Sequence, residues 1–393
     1  VLPIGEWSFP VAFAEGGYTS EIPVISASHV GKGRMLGYGH ENWVYGSGGI
    51  EETAFSLRAV EWVCGTNADV GLAYGAGFDD FQDDLESEGH TVHNSVSPDN
   101  LSGVDCFLDE FWNGHDDDDN ANIVAFLLGG GGVIMGGHAW YWSYSNTDVA
   151  HNYPGNKIAK ETGLFVSNAW GYNEMDMSEL PHELTRPRAA IDAIRGDRIE
   201  GQALSTDEAS IADSTLSLCT SVVSLDFDDF WAPLREVVNQ TGWTVIEYGT
   251  LWDDVGYNLG EDPVADSLLR VETALTQGLP ANELPSHPSH IEFPGEVPGN
   301  ASRVVRTVSV DGNQSGLPSN FGYSSARAHL RMTTGTYAAP GEVITVTLPP
   351  HVVDSGTYIL VGAHSDSLWG KEQLHRHPEI VRWWYVDDIE MEV

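Results

Sequence analysis

The chain has 393 residues, of which 58 are acidic and 18 are basic, so its formal net charge is −40 at pH 7. This charge excludes binding to a nucleic-acid backbone, because phosphates would be repelled at every approach, and it also argues against anionic membrane surfaces. No apolar run reaches the ~18 residues that span a bilayer, so we expect no membrane insertion.

The first half of the chain alternates predicted strands with predicted helices after a lead-in, residues 1–23, that we expect to be irregular. Short apolar runs predict strands at 23–27, 34–39, 70–74, 90–93, 104–108 and 133–135. Apolar residues at helical spacing predict helices at 51–64, 79–88 and 120–128. This order predicts an α/β domain with a parallel sheet, in which sites form outside the carboxyl ends of the strands.

The second half of the chain changes composition at about residue 278. Before it, we predict helices at 189–195, 229–240 and 266–276 and a strand at 243–248. Five prolines between 278 and 300 predict a linker. After it, turns separate β-rich segments at 303–310, 326–332, 342–348 and 357–363. The expected organisation is an α/β domain at 1–277, a linker at 278–300 and a β-sandwich domain at 301–393.

The cysteines and sequons bear on the compartment. Cys64, Cys106 and Cys219 can form one disulfide and leave one thiol, and the sequence leaves the pairing open. The first residue is Val1 rather than Met, which a cleaved signal peptide or a trimmed chain would explain. Glycosylation sequons give slight further support for secretion and begin at Asn100, Asn239, Asn300 and Asn313.

The stretch GGGGVIMGGHAWYW, residues 129–142, reads as a buried strand followed by a sharp corner. In many α/β enzymes a nucleophile stands at such a corner, but here Gly136, Gly137 and His138 occupy it. Zinc peptidases need the pattern H-E-x-x-H, and the two His-Glu pairs, at His40 and His182, have no second histidine at the required spacing. We therefore expect a protein that is not an enzyme.

Two acidic runs are candidate cation sites. Asp79, Asp80, Asp83 and Asp84 have helical spacing that places carboxylates on one side of a helix, which makes calcium the candidate ion, although no cofactor is expected to be required. The run at 116–119 comes just before a predicted helix, where acidic residues stabilise the positive helix end, and we favour that role for it.

An aromatic cluster follows the glycine corner directly. Trp140, Tyr141 and Trp142, with Tyr144, lie at the end of a predicted strand. Aromatic faces stack on sugar rings or apolar ligands, but they also pack between sheet and helix, and both interpretations stay open.

Several stretches resemble one known family. Residues 26–34 and 39–41, and then 136–142 and 154–158, are similar to the glutamine amidotransferase-like domain of TRP channel-associated factors and related bacterial mucin-targeting metallopeptidases. Residues 336–346 and 362–366 resemble the β-sandwich that precedes the enhancin-like peptidase domain. The resemblance implies a flavodoxin-like, class I amidotransferase-like fold that lacks catalysis, and then a β-sandwich.

The leading hypothesis is a secreted, non-catalytic protein that binds a glycan, a glycoprotein or another protein. The expected ligand-binding residues are His40, Glu41, His138, Trp140 and Trp142. One alternative is the non-catalytic N-terminal portion of a secreted zinc metallopeptidase that acts on mucin-like glycoproteins. Another is an acidic, calcium-binding structural protein.

Overall fold

The computed structural model describes residues 1–16, 21–44, 50–74, 78–176, 181–243, 246, 256–286, 290, 295–311, 331–362 and 366–393. The chain forms two compact units. The first comprises Val1–Val245, Tyr257–Gly278 and Gly370–Leu374, and the second comprises Ile246–Gly256, Leu279–Trp369 and His375–Val393. No helix in the described ranges is long and apolar enough to cross a membrane.

The strands and helices are numbered here in chain order. The strands are β1 (Leu2–Pro3), β2 (Ser8–Gly16), β3 (Ile22–Val30), β4 (Gly33–Tyr38), β5 (Asp69–Ala73), β6 (Thr91–Val96), β7 (Cys106–Glu110), β8 (Gly132–Gly136), β9 (Leu164–Phe165), β10 (Gly171–Asp176), β11 (Tyr257–Asn258), β12 (Thr345–Thr347), β13 (Tyr358–Val361), β14 (Gln373–Leu374), β15 (Arg382–Tyr385) and β16 (Glu390–Glu392). The helices are α1 (Glu41–Val44), α2 (Ile50–Cys64), α3 (Asp79–Ser87), α4 (Asp117–Gly129), α5 (Ala139–Trp142), α6 (Val149–Asn152), α7 (Pro154–Thr162), α8 (Pro187–Glu200), α9 (Thr206–Val222), α10 (Asp228–Thr241) and α11 (Pro263–Gly278).

The first unit is built on one mixed sheet with the order β10-β2-β3-β4-β8-β7-β5-β6. The five strands from β4 to β6 in that order are parallel to one another. β10, β2 and β3 extend the sheet as antiparallel strands beyond β4. The predicted α/β class is therefore confirmed, while the expected parallel sheet is parallel only in part.

The described part of the lead-in, residues 1–16 and 21–23, contains β1, β2 and the start of β3, so the prediction that it is irregular was wrong. β2 pairs with β3 along most of its length, and the pairing shifts register just after Pro10. Proline has no N–H to donate, and an irregularity in the ladder is one of the few places where a strand tolerates it. Pro10 therefore interrupts the strand-like sequence pattern at the position where the pairing of β2 with β3 is itself irregular.

The central strands are buried on both faces. Val133, Ile134 and Met135 of β8 are at most 1% exposed, as are Phe107 and Leu108 of β7. Burial on both faces explains why these strands read as short, continuous apolar runs in the sequence. The strands predicted at 133–135 and 104–108 are confirmed.

The acidic run before α4 caps that helix, as we favoured. The carboxylate of Asp116 accepts a hydrogen bond from the backbone N–H of Asp119 at 2.9 Å, and the helix begins at Asp117. Acidic side chains in the first turn stabilise the positive end of the helix dipole. The run is explained by helix capping and needs no ion.

The second unit contains short antiparallel strand pairs, β12 with β16 and β13 with β15. The strand predicted at 303–310 is wrong, because the structure assigns no strand to these residues, and Val305 is fully exposed. Its alternation of valine with polar residues suits a strand, but an extended segment becomes one only when another strand pairs with it. The predicted segment 326–332 and the predicted strand 243–248 lie almost wholly outside the described residues.

A glycine pair at the end of β8 lets three chain segments approach one another closely. A Cβ atom on Gly136 would lie 2.5 Å from Val44 Cγ2 and 2.9 Å from Glu41 Cα. A Cβ atom on Gly137 would lie 2.7 Å from the hydroxyl oxygen of Tyr153. Only hydrogen fits at these two positions, so a corner bearing Ser or Cys cannot form here without displacing its neighbours.

The disulfide joins Cys64, at the end of α2, to Cys106, at the start of β7, and Cys219 is left as a buried free thiol. The bridge closes a segment with a sequence separation of 42 that contains β5, α3 and β6. Closing a loop of this length reduces the entropy of the unfolded chain.

We predict that the double substitution Cys64→Ala, Cys106→Ala lowers the free energy of unfolding by about 2–4 kcal/mol, because the unfolded chain regains the entropy that the cross-link removes. Urea unfolding with and without a thiol reductant measures the change. The reductant should bring the unmodified protein to the stability of the double variant and leave the variant unchanged. Equal stability of all samples would contradict the role assigned to the bridge.

We also predict that Gly136→Ala lowers the free energy of unfolding by about 1–3 kcal/mol, because the added methyl group overpacks the corner against Val44 and Glu41. Gly114→Ala is the matched control, since a Cβ atom there meets nothing within 4 Å. Chemical denaturation of both variants measures the difference. A Gly136→Ala variant as stable as the control would refute the packing argument.

Candidate functional site

The candidate site lies at the carboxyl ends of three neighbouring parallel strands. Tyr38 of β4 and Glu110 of β7 both align with Gly136 of β8 across the sheet. Two residues beyond this row lie His40, Trp112 and His138, one after each strand. Adjacent strands in register deliver these three side chains to one edge of the sheet, where α/β folds place their sites.

Glu41 is the centre of the polar cluster. Its Oε2 atom lies 2.6 Å from Nδ1 of His138 and 3.6 Å from Nδ1 of His40. The indole N–H of Trp112 donates to the same oxygen at 3.3 Å. The two imidazole rings stack with their centroids 4.4 Å apart and their planes 20° apart. A carboxylate and two imidazoles thus lie close together at the carboxyl edge of the sheet.

The protonation states follow from partial burial. Burial lowers the pKa of His40, the charge of Glu41 opposes that effect, and His138 adds to it, so the net pKa lies below the ordinary value. Burial alone would raise the pKa of Glu41, but hydrogen bonds from its own backbone and from His138, with the charges of both histidines, lower it overall. At neutral pH the site therefore offers an ionised carboxylate beside a neutral His40.

An aromatic patch, defined as Trp112, Trp140, Tyr141 and Tyr144, continues from the polar cluster. The ring centroid of Trp140 lies 5.4 Å from that of His138, and that of Tyr141 lies 5.6 Å from it. Tyr141 is 56% exposed and Tyr144 is 74% exposed. Exposed aromatic rings that lie beside hydrogen-bonding groups suit a ligand with both apolar and polar faces.

The five residues that we expected to bind ligand separate into two groups. The structure brings His40, Glu41, His138 and Trp140 together around the polar cluster. Trp142 turns the other way and packs edge-on against Tyr153, with ring centroids 5.6 Å apart. Tyr153 belongs to the hydrophobic core, so Trp142 packs against the core and does not belong to the exposed patch.

Sequence reasoning missed Trp112, and it considered Tyr141 and Tyr144 as stacking rings without including them among the expected ligand-binding residues. Trp112 could have been found, because it comes four residues after the strand predicted at 104–108 and therefore falls near the carboxyl edge of the sheet. Tyr141 and Tyr144 lie within and just beyond α5, where only the helix geometry decides which rings face outward.

Two shallow depressions lie along the chain that follows α5. One, of about 460 Å³, contains no residue of the aromatic patch, and its lining includes the polar side chains of Ser143, Asn146, Thr147 and Asn168. The other, of about 530 Å³, runs along residues 142–147 and is lined in part by Tyr144. Hydroxyl and amide groups next to exposed rings provide orientation for a polar ligand.

The acidic residues predicted to bind calcium lie on α3, and Asp83 and Asp84 are described there. The side chains of Asp79 and Asp80 lie outside what the structure describes. Within the described part of the chain, one group of three ligand-type side chains has its ligand atoms within 4.8 Å of one another, and it consists of His40, Glu41 and His138. Calcium binding on α3 stays a prediction.

None of the three cysteines can act as a nucleophile at the corner. Cys64 and Cys106 are joined in the disulfide. Burial raises the pKa of the Cys219 thiol to about 12, so that it is not a thiolate at neutral pH. The cysteines of this structure therefore do not supply the thiolate that amidotransferase-type corners use.

Comparison with family models gives two matches. The model described as the TRPM8 N-terminal domain, TCAF_N, matches residues 1–177. The model described as the N-terminal domain of M60-like peptidases matches residues 299–388. The first match spans the whole polar cluster and the aromatic patch.

Related proteins agree with these matches. A TRPM8 channel-associated factor homologue from Danio rerio is 24% identical over 396 residues, which covers 97% of this chain and 39% of the relative. TRPM8 channel-associated factor 2 from Homo sapiens is 30% identical over 174 residues, covering 44% of this chain and 17% of the relative. The chain therefore spans well under half the length of these relatives.

Among solved structures, the IMPa metallopeptidase from Pseudomonas aeruginosa resembles the chain with a TM-score of 0.38 and 16% identity, covering 72% of this chain and 38% of that one. IMPa in complex with T-antigen gives a TM-score of 0.37 at 16% identity, covering 100% of this chain and 46% of that one. These TM-scores and identities are too low to assign the binding or catalytic residues of IMPa to this chain. The resemblance expected from the sequence motifs is nevertheless confirmed by the family models and the relatives: residues 1–177 are similar to the TCAF_N model, and residues 299–388 are similar to the N-terminal domain of M60-like peptidases.

Proposed function

We propose that the chain is a secreted, non-catalytic protein that recognises a glycan or a glycoprotein through the aromatic patch and the polar cluster. The observation that carries the proposal is the exposure of Tyr141 and Tyr144 at the carboxyl edge of the sheet, where Tyr141 lies next to His138, the hydrogen-bond partner of Glu41. Sugar rings present apolar C–H faces that stack on aromatic rings, and hydroxyl groups that donate to carboxylates. The patch and the cluster supply both types of contact.

The charge of the chain selects among glycans. A net charge of −40 disfavours sulfated or sialylated sugars at long range, because like charges repel. Glu41, which is ionised at neutral pH, adds a negative charge at the site itself. We therefore propose a neutral sugar as the ligand class.

The disulfide supports the proposed secretion, because such bridges persist in oxidising compartments. The sequon residues Asn100, Asn239 and Asn300 are exposed, as glycosylation would require, and Asn313 lies outside the described residues.

An alternative proposal is an acidic structural protein that binds calcium on α3. A melting temperature that rises with added calcium would support it.

The finer fold assignments are also proposals. The order β6-β5-β7-β8 follows the 2-1-3-4 order of flavodoxin-like sheets, and β4 fills the next position. This order supports an amidotransferase-like domain whose last parallel strand comes from earlier in the chain. The pairs β12–β16 and β13–β15 support a β-sandwich in the second unit.

A second candidate function is that of the non-catalytic N-terminal portion of a zinc metallopeptidase that acts on mucin-like glycoproteins. The match of residues 299–388 to the N-terminal domain of M60-like peptidases favours it. The two proposals agree on what this chain would do, since a glycan-recognising domain would hold a glycoprotein near a protease. The size of the mature protein at its source distinguishes them.

We predict that Tyr141→Ala and Tyr144→Ala each weaken binding to a neutral glycan by about 1–3 kcal/mol, because each removes an exposed stacking surface. A glycan array of neutral and acidic mammalian-type and plant-type sugars identifies the ligand, and calorimetry measures the loss. Trp7→Ala is the matched control, since Trp7 is also exposed, at 65%, and does not belong to the patch.

The control variant should bind like the unmodified protein. The proposal is wrong if no glycan on the array binds, or if the tyrosine variants bind as tightly as the Trp7→Ala variant. Preference for sialylated over neutral sugars would refute the charge argument while leaving the patch as the binding surface.

A further inference from the structure

Three metal-ligand atoms converge at the carboxyl edge of the sheet. His40, Glu41 and His138 each place one ligand atom within 4.8 Å of the others. The Nδ1 atoms of both histidines face the same carboxylate oxygen, Oε2 of Glu41, at 3.6 Å and 2.6 Å. These side chains come from segments that follow β4 and β8, and nearly a hundred residues separate them along the chain (|i−j| = 97 for His138 and Glu41).

We infer that His40, Glu41 and His138 form a binding site for one divalent zinc ion. Two imidazole nitrogens and one carboxylate oxygen are a donor set that zinc accepts, with three protein ligands and one open position. The match is to ligand type and number.

The ligand atoms are close together, but one imidazole must turn before both can bind one metal ion. An imidazole coordinates in the plane of its ring, and the two rings stack with their centroids 4.4 Å apart and their planes 20° apart. Tetrahedral zinc with bonds of about 2.0–2.2 Å holds its ligand atoms roughly 3.3 Å apart. The separation of 3.6 Å between His40 and Glu41 is already close to that value. The 2.6 Å contact between His138 and Glu41 is a hydrogen bond, which must open by less than about 1 Å as the metal replaces the shared proton. The backbone N–H of Asn42, which donates to Nδ1 of His40 at 3.2 Å, would lose that acceptor.

Trp112 orients the carboxylate ligand. Its indole N–H donates to Glu41, as outer partners do in metal sites. The ring of Trp112 also stands edge-on to His138, with centroids 4.9 Å apart. His138 is 12% exposed, Glu41 19% and His40 32%, so the site is sheltered but open on one side.

The three ligand residues lie at the same edge of the sheet as the aromatic patch, whose Trp140 and Tyr141 rings lie near His138. A fourth position on the zinc ion would be filled by water or by an oxygen atom of a bound ligand. The inference does not depend on the proposed glycan function, because the test below uses the metal alone. Zinc binding without glycan binding, or the reverse, would separate the two.

The test strips the full chain with a chelator, incubates it with excess Zn²⁺, dialyses it and then measures the zinc that stays bound. Excess Mg²⁺ is present throughout, because it occupies exposed carboxylates on so acidic a surface and leaves nitrogen-containing sites to zinc. We expect one zinc ion per chain by elemental analysis. Cobalt(II) in its place should give the visible absorption of a four-coordinate site with nitrogen ligands.

The variants His138→Ala and Glu41→Gln should each weaken zinc binding by more than about tenfold, since even outer partners of metal ligands change affinity by roughly 10–100-fold. His93→Ala is the matched control. The imidazole of His93 also pairs with a carboxylate, that of Asp69, at 2.8 Å, but it is not part of the cluster. Its zinc affinity should equal that of the unmodified protein.

Glu41→Gln keeps the shape of the side chain, so it tests the site even if His138→Ala fails to fold. The inference is overturned if the unmodified chain retains no stoichiometric zinc under these conditions. It is equally overturned if Glu41→Gln binds zinc as tightly as His93→Ala does.

Discussion

The candidate site depends on the close approach of three backbone segments around Gly136 and Gly137. Because neither residue has a side chain, the segment after β4 and the aromatic residues after β7 can approach the end of β8. The same absence of side chains removes the position at which related folds carry a nucleophile. The close packing around the two glycines therefore explains why the corner bears no nucleophile. It also explains why the segments after β4 and β7 lie so near to it.

The register of the parallel strands brings the residues of the candidate site together. β4, β8 and β7 run parallel and aligned, so residues that occupy equivalent positions after each strand come to the same edge. His40, Trp112 and His138 are such residues, and Glu41 follows His40 directly. A shift of one residue in the pairing of β4 with β8 would change which side chains meet there. The polar cluster is thus a consequence of strand alignment and does not depend on a long, shaped loop.

Much of this arrangement is readable in the sequence, for physical reasons that differ between elements. The buried strands β7 and β8 are apparent because burial on both faces requires continuous apolar runs. β2 was missed because Pro10 interrupts its pattern where the ladder itself is irregular. The segment 303–310 was overpredicted because alternation shows that a segment can be a strand but not whether another strand pairs with it.

At the site, the polar residues could be nominated from their places after predicted strands, whereas the outward faces of Tyr141 and Tyr144 depend on how α5 packs. The disulfide pairing could not be deduced either, since three cysteines permit more than one bridge. These gaps share a cause, because each depends on a contact between segments that are distant in sequence.

The position of that disulfide has a consequence for how the chain folds. β4 must find β8 across a long stretch of intervening chain, and closing so long a loop is entropically costly and slow. The bridge between Cys64 and Cys106 bypasses a separation of 42 residues within this stretch. In the oxidised chain, the length of chain that separates β4 from β8 is therefore effectively much shorter. These are the two strands that His40 and His138 follow. Where the bridge forms before the sheet is complete, the redox state of the compartment helps to set how fast the edge bearing Glu41 assembles.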